Sequence, residues 1–375
     1  LTPLLREFWS LLVAANLITA LWMVLMYRAG MGKLDESDHE TLGRGLLARL
    51  WYGVELKLVS SLSARNKLVA GIEHQRNRIQ NQRNYDVAPY RLNADDHRQS
   101  ERSGVFVQDD FQWTPDLKLS VGGRVDQVTG QGAQFSPRLG AVYRLSAQTV
   151  WKLQYGTAFR APNVYESNYS YAGSAIANPR LRGEKITTWE TSVEHYLDSQ
   201  TRLLGTAYVY RLAGLIDQTT EARSGLLQYV NAGRSSARGV ELEIEKLWTN
   251  GARLRTSLEL QHAHDATGND LTNSPNVIGK LNLSVPLPWQ SLRLGTEAQW
   301  LAARKTHAGT VPDHGLANLT LLRPMAGNHW EWSASVYNLF DNRYFDATAY
   351  DPTVPQRDRL AQDGRSYRLK AVYRF

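Results

Sequence analysis

The residues with the most obvious chemical potential are a histidine pair, His262 and His264, followed directly by Asp265. Histidines at i and i+2 share one face of a strand, which suits a metal, but zinc asks for further spaced ligands and none accompanies them. They read as a pair lining a lumen or the base of a loop. The chain of 375 residues contains no cysteine, which removes disulfides, thiolate nucleophiles and Cys-ligated metal centres. It has no G-x-S-x-G elbow, no P-loop and no H-E-x-x-H pair. The expectation is a protein without enzymatic activity, resident metal or cofactor.

Ligand-holding chemistry gathers elsewhere. The segment 160–184 carries Arg160, Tyr165, Tyr169, Tyr171, Arg180 and Arg182. Rings and guanidinium groups in one loop can hold an aromatic or anionic chelate by stacking and bidentate hydrogen bonds. The Asn-, Gln- and Arg-rich segment 76–103 is a weaker candidate, and Tyr350, Asp351 and Arg359 within 346–364 are weaker still.

The elements that must position these loops repeat with a period of two from about residue 51 onward. Tyr367, Leu369, Ala371 and Tyr373 fall on one face of the last strand and Arg368, Lys370 and Arg374 on the other; Val240, Leu242 and Ile244 alternate with Glu241, Glu243 and Glu245. Alternation alone also suits a soluble sandwich. The connections decide, because about fifteen strands are joined by links that alternate between short and long. The short ones are Ser63–Asn66, Thr114–Asp116, Ser146–Gln148, Asp198–Gln200, Thr249–Gly251, Pro286–Gln290 and Pro324–His329; the long ones are roughly 76–103, 128–136, 160–184, 217–237, 263–275, 302–315 and 346–364. Tight turns at one end and long polar loops at the other match an all-β, transmembrane, antiparallel up-and-down β-barrel. Trp113, Trp151, Trp189, Trp248, Trp289 and Trp330 fall near strand ends, where they form interfacial girdles. A hydrophobic fraction of 42% with a mean hydropathy of −0.42 excludes a bundle of membrane helices over most of the chain. The net charge of +7 is spread along the strands, so nucleic acid is not an expected partner.

Six segments carry a resemblance. YGTAFRAPNVYE at 155–166, NPRLRGEKITTWETSVEHYL at 178–197, YVNAGRSSARGVELEIE at 229–245, VPDHGLANLTL at 311–321, SVYNLFDNRYF at 335–345 and GRSYRLKAVYRF at 364–375 resemble, in words and order, the C-terminal barrel of TonB-dependent outer-membrane receptors. The resemblance covers about residues 51–375. It implies a bacterial outer-membrane location and uptake of a scarce ligand, most readily a ferric siderophore, with TonB pulling on a plug inside a barrel of about 22 strands. Cobalamin, haem or an oligosaccharide are other ligands the family admits. Phe375, with Tyr373 on the same face, looks like the signal read by the barrel assembly machinery, and lipopolysaccharide is a further expected partner of the loop arginines. Alternatives are a passive porin-like channel and a non-functional gene remnant. Within the motifs, Asn338, Asp341 and Asn342 read as a capped strand end without a binding role.

Residues 1–50 do not fit that pattern. Residues 8–26 form an uncharged apolar run and 33–50 read as a charged, helix-like stretch, so 1–50 is expected as an atypical apolar and helical segment, out of frame with or replacing further strands. An odd strand count and a start at Leu1 lead to the expectation that about seven strands, the plug and the TonB-contacting motif belong upstream.

Overall fold

The computed structural model describes residues 35–39, 43–87, 89–171, 173–288, 292–325, 329–348 and 358–374. The apolar run 8–26, Trp289, Tyr350, Asp351 and Phe375 lie outside these residues. Two compact units divide the chain. The first comprises residues up to Ala141 with Tyr155–Thr187 and Leu212–Arg234, and the second comprises Val142–Gln154, Thr188–Arg211 and Ser235–Phe375.

In chain order the strands begin with β1 (Asp35–His39), β2 (Gly43–Ser63), β3 (Asn66–Val87), β4 (Tyr90–Asp96), β5 (Ser100–Gln112) and β6 (Leu117–Val128). β7 (Gln134–Ser146), β8 (Thr149–Arg160), β9 (Glu184–Asp198) and β10 (Thr201–Ala213) follow, with the one-turn helix α1 (Val164–Asn168) between β8 and β9. The loop beyond β10 forms the hairpin β11 (Ile216–Thr220) and β12 (Leu227–Asn231). The later strands are β13 (Arg234–Leu247), β14 (Arg253–Asp265), β15 (Val277–Pro286), β16 (Arg293–Leu301), β17 (Arg304–Lys305), β18 (Thr310–Val311), β19 (His314–Arg323), β20 (Trp330–Tyr337), β21 (Phe345–Ala347), β22 (Arg359–Ala361) and β23 (Ser366–Tyr373).

Among the described residues, seventeen strands share one sheet. β1 pairs with the first residues of β2, and β4 with the last residues of β3; setting these two short strands aside leaves, among the described residues, the fifteen long strands that the alternation predicts. All seven short connections lie between consecutive strands of the sheet. Antiparallel register runs unbroken through β13 and β14, with Val240 opposite Leu260 and Leu242 opposite Leu258.

Two expectations are corrected. Within the stretch expected as helix-like, the described residues 35–39 and 43–50 are strand, and β2 crosses the expected boundary at 51 without interruption, apart from a register shift between Leu50 and Trp51. Cross-strand pairing with Ile79–Asp86 satisfies that backbone, overriding local helix preference. The expected loop 76–103 is largely strand, because β3 continues to Val87 and turns back into β4.

Apolar side chains are turned out rather than packed into a core. Leu242, Ile244, Val240, Leu258 and Leu260 are all exposed on one face of β13 and β14, and among the described residues few hydrophobic side chains are buried. The opposite face carries charge in pairs. In the first unit Glu73 accepts from Arg102 at 2.6 Å and Arg124 at 2.8 Å, and Arg124 also meets Asp126. In the second, Glu243 accepts from both Arg202 and Arg255, Glu245 from Arg202 and Arg253, and Glu194 from Lys152. An apolar face outward and a paired charged face inward is the polarity of a membrane-spanning barrel wall.

Candidate functional site

The expected ligand loop between β8 and β9 lies within the first unit. β8 ends at Arg160, and Pro162 cannot extend a ladder because it has no N–H to donate. Asn163 then caps α1 reciprocally. Its side-chain oxygen accepts the Glu166 N–H at 2.8 Å, and the Glu166 carboxylate accepts the Asn163 N–H at 2.8 Å. Arg160 clamps both ends of the loop, donating from Nη1 to both Glu166 oxygens at 3.0 Å and from Nε to Glu184 at 2.5 Å. The second Glu184 oxygen accepts the Ile216 N–H at 2.7 Å. The Arg160 hydrogen bond, helped by the Ile216 amide, holds the Glu184 carboxyl below its usual range.

Downstream, the loop is fastened by its backbone. Tyr171 and Ala175 exchange two hydrogen bonds at 2.9 Å around Gly173, whose φ of 76° suits glycine. Ile176 N–H donates to Leu227 and the Asn178 side chain to the Tyr229 carbonyl. The Gln131 side chain donates to the Leu181 carbonyl at 2.9 Å and accepts the Gly183 N–H at 3.0 Å. Asn231 accepts the Arg182 N–H at 2.9 Å and donates to the carbonyls of Arg182 and Gly214, each at 2.8 Å. Leu181 is only 2% exposed. At Gly183 a methyl group would sit 1.8 Å from the Phe159 ring, so only glycine lets the chain pass there.

This fastening presents side chains rather than consuming them. Arg180 and Arg182 are exposed, and their guanidinium groups have no carboxylate partner among the described residues. Tyr165 stacks on Tyr169 with centroids 4.5 Å apart, and Tyr229 meets Tyr165 edge-on at 6.0 Å. Burial pushes the Tyr169 hydroxyl pKa up, which keeps it a neutral donor. Beside the loop lies a recess of about 790 Å³, lined by Arg102, Arg124, Arg138, Thr157, Asn163 and Leu181 among others. Thr157 is among the lining residues, its hydroxyl buried and without a hydrogen-bond partner among the described residues.

Of the six loop residues singled out in the sequence, Tyr165 and Tyr169 are brought together, Arg180 and Arg182 share one fastened strap, and Tyr171 occupies a turn of its own. Arg160 is committed to the chain's own carboxylates. Sequence reasoning missed Gln131, Tyr229 and Asn231, which lie about fifty residues from the positions they fasten. Only the Asn163-to-Glu166 spacing signals its role in advance.

In the second unit, Asn338 and Asp341 adopt positive φ of 50° and 55°. Asn338 bonds the backbone of Asn342 in both directions at 2.9 Å, and Asp341 accepts the Arg365 N–H, as a structural strand end requires. Of the two positions expected for the histidine pair, lumen or loop base, the second is found: His262 and His264 stand at the loop end of β14, on the face of Leu258 and Leu260, opposite Arg238 and Ser236. Among the described residues no group of three or more His, Cys, Asp or Glu is placed to hold a metal ion. Tyr373 belongs to β23, paired opposite Trp330.

Comparison with known proteins places this architecture. A family model described as TonB dependent receptor-like, beta-barrel, matches residues 27–339. The ferric enterobactin receptor PirA of Pseudomonas aeruginosa is 26% identical over 315 residues, 74% of this chain and 41% of the relative. The vitamin B12 transporter BtuB of Vibrio cholerae is 25% identical over 279 residues, 70% of this chain and 40% of the relative. The chain thus spans about two fifths of the length of these relatives. Among solved structures, the ferric enterobactin receptor PfeA of Pseudomonas aeruginosa superposes with a TM-score of 0.70 at 18% identity, over 88% of this chain and 54% of the other. That likeness shows the fold, an antiparallel transmembrane β-barrel, and its setting is the bacterial outer membrane. With the family model matched over most of its length, the chain belongs to the TonB-dependent receptor family and supplies β-barrel of that family.

Proposed function

We propose that this chain is the ligand-capturing wall of an outer-membrane transporter that takes up a ferric siderophore, energised by TonB through a globular plug. The observation that carries the reading is the fastened strap 176–183, which holds the exposed side chains of Arg180 and Arg182 in water while Pro179 and Leu181 line the neighbouring recess. A ferric catecholate is anionic and aromatic. Guanidinium groups meet its charge and oxygen atoms with forked hydrogen bonds, and the exposed Tyr165 offers a ring face. Holding the strap in advance lowers the ordering cost of capture. The work is binding and passage, with no bond made or broken.

The names of the relatives supply the test panel. Ferric enterobactin, metal-free enterobactin and cobalamin are titrated into the full chain in detergent, with tryptophan fluorescence as the readout. Saturable binding of the ferric chelate, weaker for the metal-free form and absent for cobalamin, supports the reading. Preference for cobalamin would replace the substrate. No saturable binding, together with free passage of small sugars into liposomes carrying the protein, would replace the function with that of a passive channel.

A further inference from the structure

Three long connections of the second unit meet on one buried arginine. Arg304, on β17, has a side chain only 3% exposed. Its Nε donates to the Asn273 side chain at 2.9 Å, in the loop beyond β14. Its Nη2 donates to Asp346 at 2.5 Å and to the Phe345 carbonyl at 3.5 Å, both on β21. Asn273, at a positive φ of 55°, gives its own N–H to the Lys305 carbonyl at 2.8 Å. A second tie runs from the Thr306 hydroxyl to the Asp358 carboxylate. Arg359 braces the β21–β22 hairpin from within, its guanidinium 5.0 Å from the Phe345 ring centroid. Thr306 and Val311 are buried alongside Arg304.

The central contact is incomplete. Arg304 Nη1 is buried and has no hydrogen-bond partner among the described residues. Asp346 meets Nη2 through one oxygen, and its side chain is 50% exposed. A guanidinium is best met by two oxygen atoms across its fork, so this carboxylate leaves half of the fork unused. A buried donor without an acceptor costs free energy that a better-placed anion recovers. His314 repeats the pattern at the base of the same hairpin. Its Nδ1 is buried without a partner among the described residues, and its ring stands 4.8 Å from that of Tyr344, the residue before Phe345.

We propose that Arg304 is a binding site for a carboxylate ligand and that Asp346, acting as the chain's own carboxylate, keeps it shut. An incoming carboxylate takes Nη1 and Nη2 together, Asp346 turns out into water, and the β21–β22 hairpin loses its tie to β17. Because Asp346 competes from the same chain, at an effective concentration on the order of millimolar, the ligand must reach a similar concentration or carry several carboxylates. The site belongs to the second unit and does not depend on the ligand reading of Arg180 and Arg182.

The test uses the full chain in detergent, with hydrogen exchange followed by mass spectrometry on peptides carrying β21 and β22. Citrate at roughly 10 mM should quicken exchange there about tenfold, whereas chloride at equal ionic strength should leave it unchanged. D346N, which weakens the internal competitor, should exchange faster without citrate and bind citrate about tenfold more tightly by calorimetry. R304K keeps the charge but loses the fork, and should lose the response. Heat-modifiable migration on a gel reports folding; if R304K fails that check, citrate against chloride on the unaltered chain and on D346N carries the test. Equal quickening by chloride overturns the proposal, because it marks simple screening of the ion pair. So does a hairpin indifferent to citrate, an undiminished response in a folded R304K, or a stronger response to inorganic phosphate than to citrate.

Discussion

Replacing Asn231 with alanine tests whether the ligand strap is held in advance. Three hydrogen bonds converge on that side chain, one accepting the Arg182 N–H at 2.9 Å and two donated to the Arg182 and Gly214 carbonyls at 2.8 Å. All three lie where water can replace them, so each is worth the low end of the usual range, about 0.5–1 kcal/mol. Together they stabilise the closed strap by about 2 kcal/mol, a factor of about 30 in its opening equilibrium. Hydrogen exchange, followed by mass spectrometry on peptides covering 176–184, should quicken by that factor in N231A. The variant N231D separates the contributions, because a carboxylate still accepts the Arg182 N–H but cannot donate to the two carbonyls, and it should give an intermediate rate. Affinity for ferric enterobactin should fall in step with exchange. Unchanged exchange in N231A would refute the argument, since the strap would then be held by something other than these bonds.

Three further outcomes are expected. Glu184 has a folded-state pKa below its ordinary value of 4.5, so its tie to Arg160 contributes above that value and is lost as pH falls through the lowered one. Exchange of the Ile216 amide, corrected for its intrinsic rate, should stay slow at neutral pH and quicken only in acid, whereas E184Q should abolish the acid step. In G239A the added methyl group would lie 2.6 Å from the Tyr208 hydroxyl and 2.7 Å from the Leu260 carbonyl. Backbone must yield there, costing about 1–3 kcal/mol, visible as a lower temperature of heat-modifiable migration. E243Q weakens the acceptor shared by Arg202 and Arg255, and the same gel assay should show a smaller loss than E243A, which leaves both guanidinium groups without that partner.

Much of the fold was legible because a membrane wall writes one face apolar. The seven tight turns stood out, as did strands such as Val240–Ile244, where every second residue must face lipid. Legibility failed where the strands leave the membrane. From Gln75 to Val87, β3 is polar on both faces, so it lacks the period-two signal although its backbone pairs with β2, β5 and β4 in turn. Residues 35–39 and 43–50 misled for the same reason, belonging to a charged stretch yet being strand by pairing. In the site, residue types announced the loop, but its fastening depends on Asn231 and Gln131, distant in sequence and ordinary in type. Arg160 shows the converse: its type suggested ligand contact, and its two carboxylate neighbours make it a clasp.

The central claim is that this family member captures an anionic ferric chelate on the strap that presents Arg180 and Arg182. The most direct measurement is the dissociation constant of ferric enterobactin for the full chain beside its R180Q/R182Q variant, both confirmed folded by heat-modifiable migration. Saturable binding that weakens about 10- to 100-fold in the variant is expected, as loss of two charge-assisted contacts requires. Equal affinity in the two proteins, or none in either, would contradict it.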